Sequence, residues 1–178
     1  MPDFAARAIY DPTLLLSTLL QTASAILWPY TAPSAGGVWP AVNRAIYCPI
    51  LVEDPVTVKQ LVVWPTVQSG NFDIGIYTET GKRVISKGST AVGAANTMQP
   101  VDITDTPLTP GFYYLGMSCD NTTAAFQRSN NGDADMMTVF GVQNQALGAV
   151  TLPDPWVPIN AQNAYVPLIQ GLCMSSVI

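Results

Sequence analysis

Histidine is missing from this sequence, and charged side chains are scarce. The 178 residues contain no His, 7 Lys or Arg and 12 Asp or Glu, so charged residues make up 11% of the chain. Ordinary soluble domains have about 25%. The absence of His removes the commonest general base, the Ser-His-Asp and Cys-His arrangements, and most zinc sites. We therefore predict a protein that is not an enzyme, with no catalytic residues, no metal site and no cofactor.

Two acidic segments are the exceptions to weigh against that prediction. Asp102 and Asp105 could form the carboxylate pair of a glycosidase, but their position after a strand and before Pro107 favours a turn. Residues 130–135 (NNGDAD) place oxygen ligands around a glycine. That run lacks the distal Glu and the spacing of a calcium loop. We interpret both segments as turns or solvated loops.

The charge balance argues against nucleic acid as a partner, and the apolar stretch near the start of the sequence argues against a membrane. The net charge is -5 with a pI near 4.3, which repels phosphate backbones, and the basic residues are scattered along the chain.

The apolar stretch from Leu14 to Trp28 is interrupted by Ser, Thr and Gln and is shorter than the ~20 residues of a membrane span. Residues 1–11 lack the apolar centre of a secretion signal. We expect a protein that is made and folded inside a cell.

The three cysteines fit neither a disulfide framework nor a metal site. Cys48, Cys119 and Cys173 are odd in number and widely spaced, whereas secreted frameworks use even numbers and metal sites use close pairs. Each lies in an apolar segment. We predict buried, reduced thiols in a protein that is assembled in the cytosol.

Charge is absent from both ends of the chain. No side chain between Asp11 and Arg44, and none after Asp154, is charged at neutral pH. Large apolar side chains are costly to leave in water, so we interpret residues 1–43 as an extended, interface-forming N-terminal arm and residues 44–178 as the folded domain. The Leu-rich part of the arm could also form a short helix. The side chains predicted to lie at subunit interfaces are the large apolar ones of these stretches: Leu14, Leu15, Leu19, Leu20, Ile26, Leu27, Trp28, Trp39 and Trp156.

Beyond the arm, the sequence predicts an all-β fold. Short segments rich in Val, Ile, Tyr and Thr alternate with turns marked by many of the 13 Gly and 15 Pro. This number of strands favours an antiparallel β-sandwich of jelly-roll-like form. The predicted strands are residues 45–52, 56–64, 71–78, 82–87, 98–103, 111–119, 124–128, 136–142 and 165–170.

Two strands carry more specific patterns. In residues 71–78, Phe72, Ile74 and Ile76 alternate with other residues, the period of a sheet with one buried face. In residues 56–63 the apolar positions change parity, which predicts a β-bulge near Lys59 and Gln60.

Aromatic residues leave two interpretations open. Tyr77, Tyr113, Trp156 and Tyr165 could form a platform on which sugar rings stack. Aromatic side chains are more often buried in a core or at a subunit interface. We favour burial for these four residues.

Three segments, taken together, resemble β-sandwich modules of virion proteins of tailed bacteriophages. They are residues 43–49 (NRAIYCP), 69–77 (SGNFDIGIY) and 102–115 (DITDTPLTPGFYYL), and the resemblance extends over about residues 39–128. It implies a small accessory component of the particle, either a capsid decoration or cement subunit or a part of a tail or fibre. The family has no catalytic motif to transfer.

From these observations we expect a non-enzymatic structural virion protein, assembled in the host cytoplasm. Its charge-free ends would pack against other virion proteins, namely the major capsid protein or tail components, and stabilise the shell as a decoration or cement protein. We expect a homo-oligomer, with a trimer favoured. The alternative is a receptor-binding module of a tail or fibre whose partner is a host surface glycan.

Overall fold

The protein is an antiparallel β-sandwich, described here by a computed structural model that covers residues 14–17, 34–129, 141–157 and 165–175. Within these residues there is no helix, and so none that could cross a membrane. The strands are β1 (Leu14–Ser17), β2 (Ser34–Val38), β3 (Arg44–Val52), β4 (Val56–Val63), β5 (Pro65–Val67), β6 (Asn71–Thr78), β7 (Arg83–Ser86), β8 (Thr90–Ala91), β9 (Gln99–Leu108), β10 (Gly111–Cys119), β11 (Ala125–Ser129), β12 (Gln143–Ala146), β13 (Val166–Pro167) and β14 (Gln170–Ser175).

The strands form three antiparallel sheets. Sheet I has the order β1-β14-β4-β9, and sheet II has the order β12-β3-β10-β6-β7 with β8 paired to β6. Sheet III has the order β13-β11-β2 with β5 paired to β11. All three sheets contribute to one main core of apolar side chains. The predicted all-β sandwich is confirmed, whereas the jelly-roll-like form and the extended arm stay predictions.

Strand β6, in sheet II, is buried on both faces. The predicted alternation in β6 is present, since Phe72, Ile74 and Ile76 all lie in the main core. The expectation of a single buried face was wrong, because Asp73 and Tyr77 on the opposite face are also fully buried. Residues 147–157, which we call the strap, cover that outer face.

The predicted bulge near Lys59 is confirmed. Val58 and Gln60 pair with adjacent residues of β14, so Lys59 is the extra residue on β4. On the other side of β4, three residues of β9, 103–105, lie opposite the single residue Lys59. Asp102 and Asp105 therefore lie inside a bulged strand and not in the turn expected from the sequence. A strand at the edge of the described sheet tolerates the bulge and Pro107, because its outer backbone groups need no ladder partner.

Residues 34–43 belong to the folded domain. Strand β2 pairs with β11, and the following residue, Trp39, is fully buried in the main core. Its indole N–H donates to the carbonyl of Arg44 at 2.9 Å. Its ring makes edge contacts with Phe126 and Tyr165, at centroid distances of 5.9 and 5.2 Å. The domain therefore begins earlier than the boundary at residue 44 that the sequence suggested.

Candidate functional site

The outer face of sheet II holds the most elaborate arrangement of polar and aromatic groups in the described chain. The strap is attached to this face along its length by hydrogen bonds to the sheet. The main ones are Leu147 N to Asn43 O (2.9 Å), Ser118 Oγ to Val150 O, Leu152 N to Asp73 Oδ2 (2.8 Å), Arg83 Nη1 to Leu152 O (2.6 Å), Tyr77 OH to Pro153 O (2.6 Å) and Trp156 N to Gly81 O (3.0 Å).

An aromatic cluster fills the space under the strap. The Trp156 ring contacts Tyr47, Tyr77 and Tyr114, at centroid distances of 4.6, 5.9 and 4.5 Å. Two glycines make room for these rings. A Cβ atom at Gly116 would lie 2.8 Å from the Tyr47 ring, and one at Gly81, where φ is +83°, would lie 1.6 Å from the Trp156 nitrogen. The sequence places Gly at both positions because a side chain there would displace the cluster.

Asp73 is a fully buried carboxylate that joins the sheet to the strap. It accepts hydrogen bonds from the backbone N–H groups of Ile74, Gly88 and Leu152 at 2.7 to 2.8 Å. The Ser86 hydroxyl lies within 3.0 Å of both carboxylate oxygens. A buried charge is tolerated when several donors satisfy it. These contacts give Asp73 a structural role between three segments.

The tyrosines under the strap act as hydrogen-bond donors. Burial raises the pKa of Tyr47 and Tyr77 above the ordinary value, because a buried phenolate would lose its hydration. Both hydroxyls therefore keep their protons at neutral pH. Tyr77 donates to the Pro153 carbonyl, and Tyr47 donates to Gln145 Oε1 at 3.2 Å.

One end of the same face is left uncovered by the strap. Phe112 pairs with Leu51, and Tyr114 pairs with Pro49, so these four side chains occupy one face of β10 and β3. Phe112 is 55% exposed, and the other three are partly buried. We call Phe112, Tyr114, Pro49 and Leu51 the open patch.

A groove of about 430 Å³ lies at the Lys59 bulge. Lys59 Nζ is 3.2 Å from Asp105 Oδ2, and Gln60 Nε2 donates to Asp102 Oδ1. The ion pair is largely exposed, and the side chains in the groove bind one another. Solvent screening makes such exposed pairs weak. We assign these contacts to holding the bulge.

A second groove, also of about 430 Å³, follows the edge strand β7. Arg83 and Lys87 line one side, and Thr151 and Asp154 of the strap line the other. The Arg83 backbone N–H donates to Asp154 Oδ1 at 3.0 Å, and its guanidinium reaches Leu152. These hydrogen bonds attach the strap to the edge of the sheet.

The residues predicted to form interfaces fall into three groups. Trp39 and Trp156 pack inside the single chain, so neither supports the interface hypothesis any longer. Leu14 and Leu15 lie in β1, paired with Cys173 and Leu172 of β14. The remaining members lie outside the described residues: Leu19, Leu20, Ile26, Leu27 and Trp28.

The four aromatic residues weighed as a sugar platform are not exposed rings. Tyr77, Trp156 and Tyr165 are buried, and Tyr113 packs against the main core. Sequence reasoning missed Phe112, whose ring is exposed. Its position next to the Pro110-Gly111 turn, two residues before Tyr114 on the same face, is the signal that could have identified it.

The thiols have no reactive environment. Cys48, Cys119 and Cys173 are all buried, and Cys48 and Cys119 are free thiols. Burial raises the pKa of Cys48 to about 12, so it is protonated at neutral pH. In the described part of the chain no three His, Cys, Asp or Glu residues are grouped to hold a metal. The segment 130–135, weighed above as a calcium loop, lies outside the described residues.

Comparison with known proteins gives no assignment for this arrangement. No protein-family model matches the sequence, and no curated protein and no solved structure is significantly similar to the chain.

Proposed function

We propose that this protein is a non-enzymatic structural component of a tailed-phage virion, a capsid decoration or cement protein that stabilises the shell by packing against its neighbours. The observation that carries the proposal is the part of the charge-free stretch that precedes β2, residues 12–33, which contains many large apolar side chains. Burying such a stretch against a partner is favourable, because its apolar surface is removed from water. The resemblance of residues 39–128 to virion modules adds to it.

The surface where this stretch joins the domain supports the same proposal. Val38, at the end of the edge strand β2, is 59% exposed, and Val42 in the following turn is 58% exposed. Val67 of β5 pairs with the same residue of β11 as Val38 does and is 43% exposed. Apolar side chains thus continue from the charge-free segment onto the domain surface. A contiguous apolar surface is typical of a protein contact.

Three charged side chains support a structural role for the domain. Asp73 and Arg83 attach the strap to the sheet, and Asp120 joins β10 to the start of β6 through Asn71 at 2.9 Å. Each of these charged groups holds segments of the fold together. A rigid domain of this kind suits a subunit that is repeated on a symmetric lattice, where a modest interface stabilises the whole by its number of copies.

The first experiment locates the protein on the particle. Antibodies raised against the purified domain should label, in immunogold electron microscopy, the capsid faces of the phage particles whose genome encodes the chain. Gold restricted to tails or fibres would favour the receptor-binding alternative, in which the partner is a host surface glycan. Purified particles without any label would contradict a virion role.

A second experiment tests the charge-free segment. Deletion of residues 1–33 removes it together with β1, the outermost strand of sheet I. It keeps β2 and Trp39, both of which a deletion of residues 1–43 would damage. We expect the shortened chain to remain folded by circular dichroism and to lose its oligomer, measured by light scattering, and its attachment to particles.

A matched full-length variant separates loss of contacts from loss of length. It carries Ser or Asn in place of Leu19, Leu20, Leu27 and Trp28. The same loss of assembly is expected, since each buried Leu or aromatic contributes roughly 1.5–3 kcal/mol. Normal assembly of both variants would sink the proposal.

A further inference from the structure

The open patch combines an exposed aromatic ring with an acidic neighbour. Phe112 pairs with Leu51, and Tyr114 lies two residues further along β10, about 7 Å away. Tyr113 pairs with Thr78, so the next residue of the β6 end, the exposed Glu79, is adjacent to Phe112. An aromatic surface with a carboxylate at its margin is therefore presented to solvent.

The two ends of this face carry different charged groups: Glu79 is at the open end, and Arg83 is at the covered end together with Asp73. Burial, and after it the Glu79 carboxylate, raises the pKa of Tyr114, so negative charge acts on the open patch. At the covered end the cation Arg83 opposes the rise in the pKa of Tyr77, which burial dominates. The Arg83 guanidinium donates to Leu152 O at 2.6 Å and is held under the strap. The cation Arg83 is therefore engaged at the covered end of the face, by the strap.

We propose that the open patch binds a basic side chain, arginine in preference to lysine, presented by a neighbouring protein subunit. A guanidinium group can stack on the ring of Phe112 while its N–H groups pair with the Glu79 carboxylate. Charge complementarity selects this occupant, because an acidic group would be repelled by Glu79. The proposal goes beyond the proposed function and does not need the partner to be a virion protein.

One ring of the open patch, Tyr114, is held in place by the second core. Tyr114 contacts Trp156 at 4.5 Å, and Trp156 is fixed in turn by Tyr47 and by its backbone bond to Gly81. A surface that is already ordered loses little conformational entropy on binding. Arginine, whose planar group is itself rigid, suits such a surface better than a flexible ammonium.

A titration of the full chain, followed by nuclear magnetic resonance, tests the proposal. The probes are N-acetyl-arginine amide and the corresponding citrulline compound, which has the same shape and no charge. We expect saturable shifts at the amides of Phe112, Tyr114 and Glu79 with the arginine compound alone. These shifts should weaken as salt is added, since salt screens exposed charges.

Variants define the contact. Phe112→Ala and Glu79→Gln should each weaken binding about 2- to 5-fold, the effect of losing one exposed cation–π contact or a comparable charge contact. Lys82→Gln removes a cation from the same turn and should tighten binding. Asp102→Asn, an exposed carboxylate on β9, is the matched control and should change nothing.

Several outcomes would overturn the proposal. Equal shifts with the citrulline compound would show that charge plays no part, and shifts confined to other residues would place the site elsewhere. A methyl glucoside that moves the Phe112 and Tyr114 signals when the arginine compound does not would identify a sugar surface instead. Failure of the immunogold experiment would leave this titration unaffected, so the two proposals fail separately.

Discussion

The two cores of this domain bury their side chains by different means. The main core, where the three sheets meet, consists of aliphatic and aromatic side chains, with Trp39 among the largest. The second core, under the strap, is small and depends on a buried carboxylate, tyrosine hydroxyls and backbone hydrogen bonds. A segment without strand partners can cover a sheet when polar groups replace the missing ladder, because its buried backbone groups must otherwise remain unsatisfied.

The largest expected loss of stability comes from replacing a buried tryptophan, and it should differ between the two cores. Trp39→Ala should lower the free energy of unfolding by about 3–5 kcal/mol, because it opens a cavity in the main core. Trp156→Ala should cost less, since its ring is 9% exposed and the strap keeps its hydrogen bonds. Urea unfolding measures both values.

Hydrogen exchange localises the two tryptophan effects. In Trp156→Ala the amides of Leu152 and residue 156 should exchange faster while those of β11 are unchanged. In Trp39→Ala the loss of protection should extend through the domain. Equal, domain-wide loss in both variants would show that the two cores are one cooperative unit.

Removal of the buried carboxylate tests the polar attachment of the strap. Asp73→Ala leaves the donors of Ile74, Gly88 and Leu152 without their acceptor, and we expect a loss of about 2–4 kcal/mol in urea unfolding. The control Glu53→Ala removes an exposed carboxylate and should stay within about 0.5 kcal/mol of the parent. A small effect of Asp73→Ala would mean that water replaces the carboxylate.

A single methyl group should distinguish crowded from open positions. Gly116→Ala directs a Cβ atom to 2.8 Å from Tyr47 and 3.2 Å from Tyr77, and overpacking of this kind costs about 1–3 kcal/mol. Gly148→Ala, in the strap, is the matched control, because nothing lies within 4 Å of its Cβ position. Thermal melting of both variants checks the difference, and equal melting temperatures would contradict the geometry of the cluster.

Raising the pH should destabilise both cores, and the loss of unfolding free energy per pH unit should be smaller than the loss caused by Trp39→Ala. Burial raises the pKa of Cys48 in the main core from 9.0 to about 12. The folded thiol keeps its proton while the unfolded one loses it, so this stability is complete below pH 9 and is lost as pH rises toward 12. The expected loss is about 1.4 kcal/mol per pH unit from this thiol alone.

Buried tyrosines add to that loss above pH 10. Tyr47 and Tyr77 of the second core and Tyr165 of the main core have raised pKa values in the same direction. Urea unfolding between pH 8 and 11 should show a shallower decline for Cys48→Ala than for the parent chain. An identical decline in the two proteins would mean that the thiol is hydrated in the folded state.

Local patterns predicted the strands of this fold better than its boundaries. The strand from Gly111 to Cys119 was predicted with its observed bounds, because turn residues delimit an apolar run. The parity change located the bulge at Lys59. The prediction ended β9 at Ile103, whereas the strand continues to Leu108, since an edge position lets it tolerate Pro107.

The second core could not be read from the sequence. Asp73 alternates with apolar residues as a solvent-facing residue would, and its burial follows from a segment some eighty residues later. Strand β12 consists of Gln143, Asn144, Gln145 and Ala146, which have no strand propensity that reveals it. Its pairing with β3 comes from tertiary contacts. Long-range contacts of this kind leave no periodic signal in either partner.

The position of β14 in sheet I determines when that sheet can be completed during synthesis. β14 lies between β1 and β4, although it is the last described strand of the chain. A ribosome releases β1 and β4 long before it releases residues 170–175, so until then β1 lacks its one partner among the described strands. Early strands that wait for a late, central partner form contacts of high sequence separation, which fold slowly. A nascent chain of this protein therefore carries β1 without its partner β14 until residues 170–175 have been synthesised.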